Sequence, residues 1–337
     1  MQNLVSIIIP TCGRPTKIGR TLVALSRQCL PLGIEIEVIV AIDGGWGPDD
    51  LRPTVALPDT RFLELPRVGV SAARNAALRE ARGELVIFSN DDTYPDANWV
   101  AEHVAGQRAR GTPGMVIGET RWVPWPDMTV FDGLLRDTSM IFFYDQMTPG
   151  ESYGFRHFWT CNASAPREMI MDAGGFEERL RPVFFEDCEL AFRIEKSVGS
   201  RVHYHAAAKN VHDHRLTWSD YCRREQCLGR VAAILAEVNP ACFEAIYGTA
   251  DADGLAENYE SWLSQGREEH EAAERRMAEW GTRSLAEVGD WEALREELYQ
   301  LHLPMKRRLF REAFVRARRE MIRGPADGRS SQVYISR

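Results

Sequence analysis

Asn90, Asp91 and Asp92 close the apolar run Leu85–Ser89 in the stretch ELVIFSNDDTYPD. Adjacent carboxylates repel each other, so at the tip of a buried strand they call for a cation or a set of donors, unless they simply face water. A hard divalent cation prefers carboxylate oxygens, and Mg2+ takes one or two from a protein and leaves its other positions to phosphates and water, so the pair suits a metal–diphosphate site better than an all-protein cage. Asp43 follows a second apolar run, VIVAI, and precedes Gly44 and Gly45. It either turns the chain or accepts bonds from ribose hydroxyls or a base N–H. The glycines of GGWG fit neither G-x-G-x-x-G nor GxxxxGK[ST], which removes the dinucleotide and ATP-loop readings.

Three further groups could take part. Arg74 and Asn75 lie early in a helical pattern, where an arginine either decorates a solvated face or helps to hold a phosphate. Glu186 and Asp187 follow Phe184 and Phe185. Apolar surroundings raise a carboxyl toward the range of a working base, but Asp187 is equally a good helix N-cap. His212 and His214, two residues apart in NVHDH, share one face of a strand and are either structural or metal-binding.

The elements that must position these residues alternate. LVSIIIPT reads as a strand, and PTKIGRTLVALSRQ as a helix with Pro15 in its first turn. IEIEVIVAIDGG and RFLELP read as strands, SAARNAALREARG as a helix from an N-cap at Ser71 to a stop at Gly83, and ELVIFS as a strand. This order predicts an α/β fold with a mixed, mostly parallel sheet flanked by helices. Ligands of such sheets collect beyond the strands' carboxyl ends, where Thr11, Asp43 and Asn90–Asp92 all fall. Strands at MVIGETRWVPWP, HFWTCNASAP and SRVHYHAAAKNVHDH and helices at PREMIMDAGGFEERL and EDCELAFRIEKSVG follow. From Trp218 the pattern is helical and polar, which predicts a boundary near residue 216 and three parts: 1–215, a helical region 216–323, and a loosely held tail 324–337.

The formal net charge of −8 over 337 residues gives no reason to expect nucleic-acid binding. Seven cysteines with no CxxC pair read as free thiols of a reducing cytosol. MQNLVSIIIPT is not a signal peptide, and no apolar run approaches the ~20 residues that span a bilayer. A cytoplasmic protein is expected, with any membrane contact peripheral and at the inner face. KRRLFREAFVRARREMIRG, starting at Lys306, holds eight basic residues against two acidic ones. Residues 306–323 read either as an interfacial helix on anionic lipid or as a packed helix with a solvated basic face or a subunit contact in a homo-oligomer.

The pieces VSIIIPTCGRP, VIVAIDGG, VGVSAARNAAL, GELVIFSNDDTYPD, CNASAPREMIMDAGGFEERL with FFEDCELAFRI, and NVHDH together resemble the family-2 glycosyltransferases of GT-A fold, in the family's order and over residues 3 to 215. The resemblance implies an inverting transfer from a nucleoside-diphosphate sugar, UDP being the first choice of nucleotide, to a hydroxyl of a glycan, lipid-linked or small-molecule acceptor. It implies Asp43 as the nucleotide-binding aspartate, Thr11 at the nucleobase pocket, Arg74 at the base or diphosphate, and Asn90–Asp91–Asp92 as the acidic metal motif. Asp91 would face ribose or sugar, and Asp92 would hold Mn2+ or Mg2+ with His212 or His214. Asp187 would be the catalytic base, with Glu186 beside it. Asn90 stands where the family commonly has aspartate. A catalytically silent sugar-binding or scaffold subunit is the alternative; it would lack the base or the metal acids, and only Asn90 leans that way.

Overall fold

A computed structural model describes residues 4–44, 58–265 and 267–323. Gly45, half of the glycine pair expected after Asp43, and the tail from Gly324 lie outside them. The chain divides into two compact units, one of residues 1–123, 144–178 and 186–214 and one of residues 124–143, 179–185 and 215–337.

The first unit is built on a nine-stranded sheet. Its strands are β1 (Leu4–Thr11), β2 (Glu35–Asp43), β3 (Asp59–Leu65), β4 (Leu85–Ser89), β5 (Thr93–Pro95), β6 (Val116–Trp122), β7 (Ser152–Tyr153), β8 (Asn162–Pro166) and β9 (Val202–His212). They lie in the order β3-β2-β1-β4-β8-β6-β9-β5, with β7 pairing to β9. β3, β2, β1 and β4 are mutually parallel. β8 is antiparallel to both β4 and β6, β9 is parallel to β6, and β5 and β7 run against β9. β6 and β9 therefore point the same way as the first four, and the sheet is mixed but mostly parallel, flanked by helices.

Burial on both faces explains the continuous apolar strands. In β1, Ile7 and Ile9 join α1 (Pro15–Leu25) and α3 (Trp99–Ala109) through Ile18, Leu22, Trp99 and Val100, whereas Ile8 faces the other layer. That layer contains α2 (Val70–Glu80), α5 (Arg167–Asp172) and α6 (Glu186–Val198), which bring in Ala73, Leu78, Ile170, Leu190 and Ile194. Successive side chains of a strand point to opposite faces, so one β-branched run feeds both layers.

Two local expectations change. α2 begins at Val70 with Gly69 at the N-cap, so Ser71 is a buried residue of the first turn and not a cap. The helix ends at Glu80, and Gly83 does not stop it. A Cβ at position 83 would lie 2.6 Å from the Ser6 backbone nitrogen, so glycine is required there by the close approach to β1. The Gly83 N–H donates to Ser6 Oγ at 2.9 Å, and Ser6 Oγ donates to Glu37 Oε1 at 2.5 Å. Glu37, fully buried within β2, also accepts from Arg61 Nη2 and Arg82 Nε at 2.8 Å each.

The second unit is helical: α4 (Val130–Asp137), α7 (Trp218–Val238), α8 (Pro240–Tyr247), α9 (Ala252–Leu263), α10 (Arg267–Gly281) and α11 (Trp291–Arg323). Thr129 and Asp132 form a capping box at α4, as do Thr217 and Asp220 at α7. Much of the basic stretch on α11 is engaged within this unit. Arg318 pairs with Glu237 and Asp253, Arg308 donates to the carbonyls of Leu263 and Gln265, and the Arg311 guanidinium lies 4.2 Å from the Trp262 ring centre. Lys306 donates to the Met140 carbonyl at 3.2 Å. These contacts favour the packed-helix reading of the segment. No described helix is long and apolar enough to cross a membrane.

Candidate active site

Because β1, β2, β4, β6 and β9 run the same way, their carboxyl ends share one rim, which carries Thr11, Asp43, Asn90, Trp122 and His212. Past β4 the chain turns at Asn90, whose N–H donates to Thr93 Oγ1 at 3.1 Å, and returns as β5 against β9. That pairing sets Thr93 opposite His212 and brings Asp92 to the end of β9. The Asp213 N–H donates to the Asp92 carbonyl at 2.8 Å.

The imidazoles converge on the second acid. His212 Nε2 lies 3.1 Å from Asp92 Oδ1, and His214 Nδ1 lies 3.1 Å from Asp92 Oδ2. Ligand atoms of all three residues fall within 4.8 Å of one another, close enough to surround one ion. Trp122 stacks on His212 with ring centres 5.3 Å apart and planes 19° apart, which fixes the plane of the imidazole. Asp213, between the histidines, is turned to other partners: Tyr94 Oη donates to it at 2.7 Å, and Lys17 and Arg20 lie 3.4 and 3.7 Å away. Burial acts to raise the Asp92 carboxyl, but the His212 and His214 hydrogen bonds and the Arg14 charge hold it far below the usual carboxylate range.

Asp91 is fully buried and engaged with the protein. Thr11 Oγ1 donates to its Oδ2 at 2.7 Å, and Arg14 grips both of its oxygens. Burial pushes this carboxyl up, while Arg14 and Thr11 pull it back. Arg14 also donates from Nη1 to Asp92 Oδ2 at 2.6 Å. Gly13, at φ +69°, provides the left-handed turn between the end of β1 and Arg14. The sequence reading missed Arg14; a lone arginine between glycine and proline differs from a surface residue only in following a strand tip.

A second group of residues runs through α2. Asp43, nearly buried, accepts from the N–H groups of Val68 at 2.6 Å and Gly69 at 3.1 Å, just ahead of that helix. One turn into α2, Arg74 Nη1 donates to Glu186 Oε1 at 2.8 Å, and its guanidinium lies 5.4 Å from the Phe176 ring centre. Thr11, Asp91 and Arg74, expected on nucleobase, sugar and base or diphosphate, are thus all bonded to protein groups. Asn75 donates to the Phe176 carbonyl and to Glu178, each at 2.9 Å.

Glu186 and Asp187 open α6, so Asp187 sits in the first turn and not at a cap. The two preceding residues, Phe184 at φ 133° and Phe185 at φ 65°, hold backbone angles that bulky side chains rarely adopt. Such strain persists only where the surroundings impose it, commonly beside a functional residue. Burial and the neighbouring Glu186 charge push Asp187 up to about 7, against the Arg74 charge and the N–H groups of Cys188 and Thr160. Burial raises the nearby Cys161 thiol to about 12, and the charges of both Asp187 and Asp92 add to that rise, so both acids lie within electrostatic reach of Cys161.

The family model described as Glycosyl transferase family 2 matches residues 6–172. Residues 6–172 belong to that family. The protein is accordingly a glycosyltransferase. Two curated relatives agree. Validoxylamine A glucosyltransferase of Streptomyces hygroscopicus subsp. jinggangensis (strain 5008) is 25% identical over an alignment covering 78% of this chain and 69% of its own length. The uncharacterized glycosyltransferase YfnE of Bacillus subtilis (strain 168) is 24% identical, with 57% and 60% covered. Among solved structures, the mannosyltransferase PcManGT from Pyrobaculum calidifontis, in complex with GDP-Man and Mn2+, superposes with a TM-score of 0.52 at 21% identity, covering 93% of this chain and 86% of that one. The fold is GT-A.

Proposed function

We propose that the protein is an inverting, divalent-metal-dependent glycosyltransferase that moves a sugar from a nucleoside diphosphate to an acceptor hydroxyl. The observation that carries this reading is the pairing of a cation-ready cluster, Asp92 with His212 and His214, with a separate carboxyl, Asp187, poised near neutrality. Residues 1–215 are the part assigned to donor binding and catalysis.

The cluster fits a metal ion. One carboxylate oxygen and two imidazole nitrogens stand at the spacing of neighbouring ligands, which leaves the remaining positions to phosphate oxygens. Mixed nitrogen and oxygen donors favour Mn2+ over Mg2+, which prefers oxygen throughout. A bound divalent ion would supply charge neutralisation on the departing diphosphate. Asp92, His212 and His214 would hold it, and Asp43 would keep the Val68–Gly69 turn in place beside the nucleotide.

Asp187 does the proton chemistry. In its ionised form it takes the proton of the acceptor hydroxyl as that oxygen bonds to the anomeric carbon. The bond from that carbon to the donor phosphate breaks, and its electron pair leaves with the diphosphate. One in-line displacement inverts the anomeric centre, and general-base help of this kind is worth ~10²–10⁴-fold. The donor is read as a UDP sugar and the acceptor as a glycan, lipid-linked or small-molecule alcohol. All seven cysteines are free, which suits a cytoplasmic enzyme.

The test is transfer or donor hydrolysis measured across UDP, GDP, dTDP and CDP sugars, with Mn2+ and with EDTA, for the natural protein and Asp187→Asn. Turnover that needs the ion and collapses in the variant supports the proposal; turnover indifferent to both refutes it.

A further inference from the structure

Arg14 has no part in the function proposed above, yet it is the cation nearest its acids. Nε donates to Asp91 Oδ2 at 3.2 Å, Nη2 to Asp91 Oδ1, and Nη1 to Asp92 Oδ2 at 2.6 Å. The last of these oxygens belongs to the one carboxylate of the Asp92–His212–His214 cluster and is also the oxygen that faces His214. Its other neighbours of like charge, Lys17 and Arg20, are held at Asp213. The Arg14 side chain is 40% exposed, against 1% for each acid, so it covers them from the solvent side and can leave without opening a void in the core.

We propose that Arg14 is a resident counter-cation that competes with a divalent ion for Asp92, so that the site takes up the ion together with a donor diphosphate in preference to the ion alone. This rests on the metal-dependent reading above. The charge count gives the reason. Two carboxylates and one guanidinium leave the corner with a single net negative charge. A bare divalent ion would reverse that sign and set two cations against one oxygen. An ion arriving with a diphosphate restores a negative total and offers the guanidinium a phosphate pair, to which its fork geometry is well matched. Arg14 immediately precedes Pro15, which restricts its backbone, while the long side chain is free to turn from Asp92 to the incoming phosphates.

The experiment is Mn2+ binding to the full chain, read as loss of the free-ion paramagnetic resonance signal, with and without UDP or GDP, for the natural protein, Arg14→Met and Arg14→Lys. Without nucleotide, Arg14→Met should bind Mn2+ about tenfold tighter or more. Arg14→Lys, which cannot bridge both acids, should fall between. With a nucleoside diphosphate present, the advantage of Arg14→Met should vanish or reverse. Equal or weaker Mn2+ binding by the variants than by the natural protein overturns the competition and leaves the metal site standing. If no form binds Mn2+ even with nucleotide, both the competition and the metal reading fall. Should Arg14→Met not fold, Arg14→Lys against the natural protein decides by the same criterion.

Discussion

Arg74 Nη1 and Glu186 Oε1 meet at 2.8 Å across 112 residues of sequence, with both side chains almost sealed from solvent. The pair fastens the start of α2 to the start of α6, the turn that carries Asp187. It also places a positive charge where it opposes the two influences that raise that carboxyl, burial and the Glu186 charge.

Arg74→Met should therefore do two things. It leaves Glu186 buried without this counter-charge, which costs about 3–5 kcal/mol for a pair of this kind and is read by denaturant unfolding. It also moves the acidic limb of the pH–activity profile upward, because the charge that holds Asp187 down is gone. A loss of stability with the limb unmoved would reduce Arg74 to packing.

Asp187 must be ionised to accept a proton. With its carboxyl at about 7, turnover should rise with pH through that value and level off above it. Asp187→Asn should lower turnover by ~10²–10⁴-fold, abolish the limb, and leave nucleotide affinity by calorimetry unchanged. Near-normal turnover would show that the base lies elsewhere.

Asp92→Asn and His212→Ala each remove one side of the cation cluster. Nucleotide binding in Mn2+ should weaken at least about tenfold in each, and the difference between Mn2+ and EDTA should shrink. Melting temperatures should stay close to that of the natural protein for His212→Ala. Unchanged Mn2+-dependent affinity would refute the ligand assignment.

Glu37 offers a test remote from the chemistry. Burial acts to raise its carboxyl, but Ser6, Arg82 and Arg61 together hold it at about 2, below the ordinary 4.5. A lowered folded-state value stabilises above the unfolded one, so the contribution is complete above about pH 4.5 and fades as pH falls toward 2, worth on the order of 3 kcal/mol at neutrality. Glu37→Gln should be less stable than the natural protein at pH 7, and the two unfolding curves should approach each other near pH 3.

Local signals made part of this legible. The β-branched runs gave the parallel strands, and their common direction made one rim of Thr11, Asp43 and Asn90–Asp92. The partners of those residues were not legible, because each is far away in sequence. Glu37, alternating with Glu35 around Ile36, looks like the wet side of a half-exposed strand, and only the fold brings Ser6, Arg61 and Arg82 to it. Arg74 has the pattern of a phosphate ligand, and nothing near it in sequence announces its partner Glu186 on α6. Ser71 has the chemistry of a cap, but the turn at Gly69 starts the helix earlier. In the basic stretch after Lys306, composition alone cannot tell free cations from those bonded to Glu237, Asp253 and nearby carbonyls.

β9, the last strand in chain order among the described residues, lies between β6 and β5 and not at an edge. Everything that pairs with it waits in the nascent chain, and the ring of ligands at Asp92 closes a loop of 120 residues. Sequence-distant closure of this kind carries an entropic penalty that local structure does not share, so it slows folding. The Asp92–His212–His214 cluster should accordingly assemble late on the ribosome, after the rest of the sheet has begun to form.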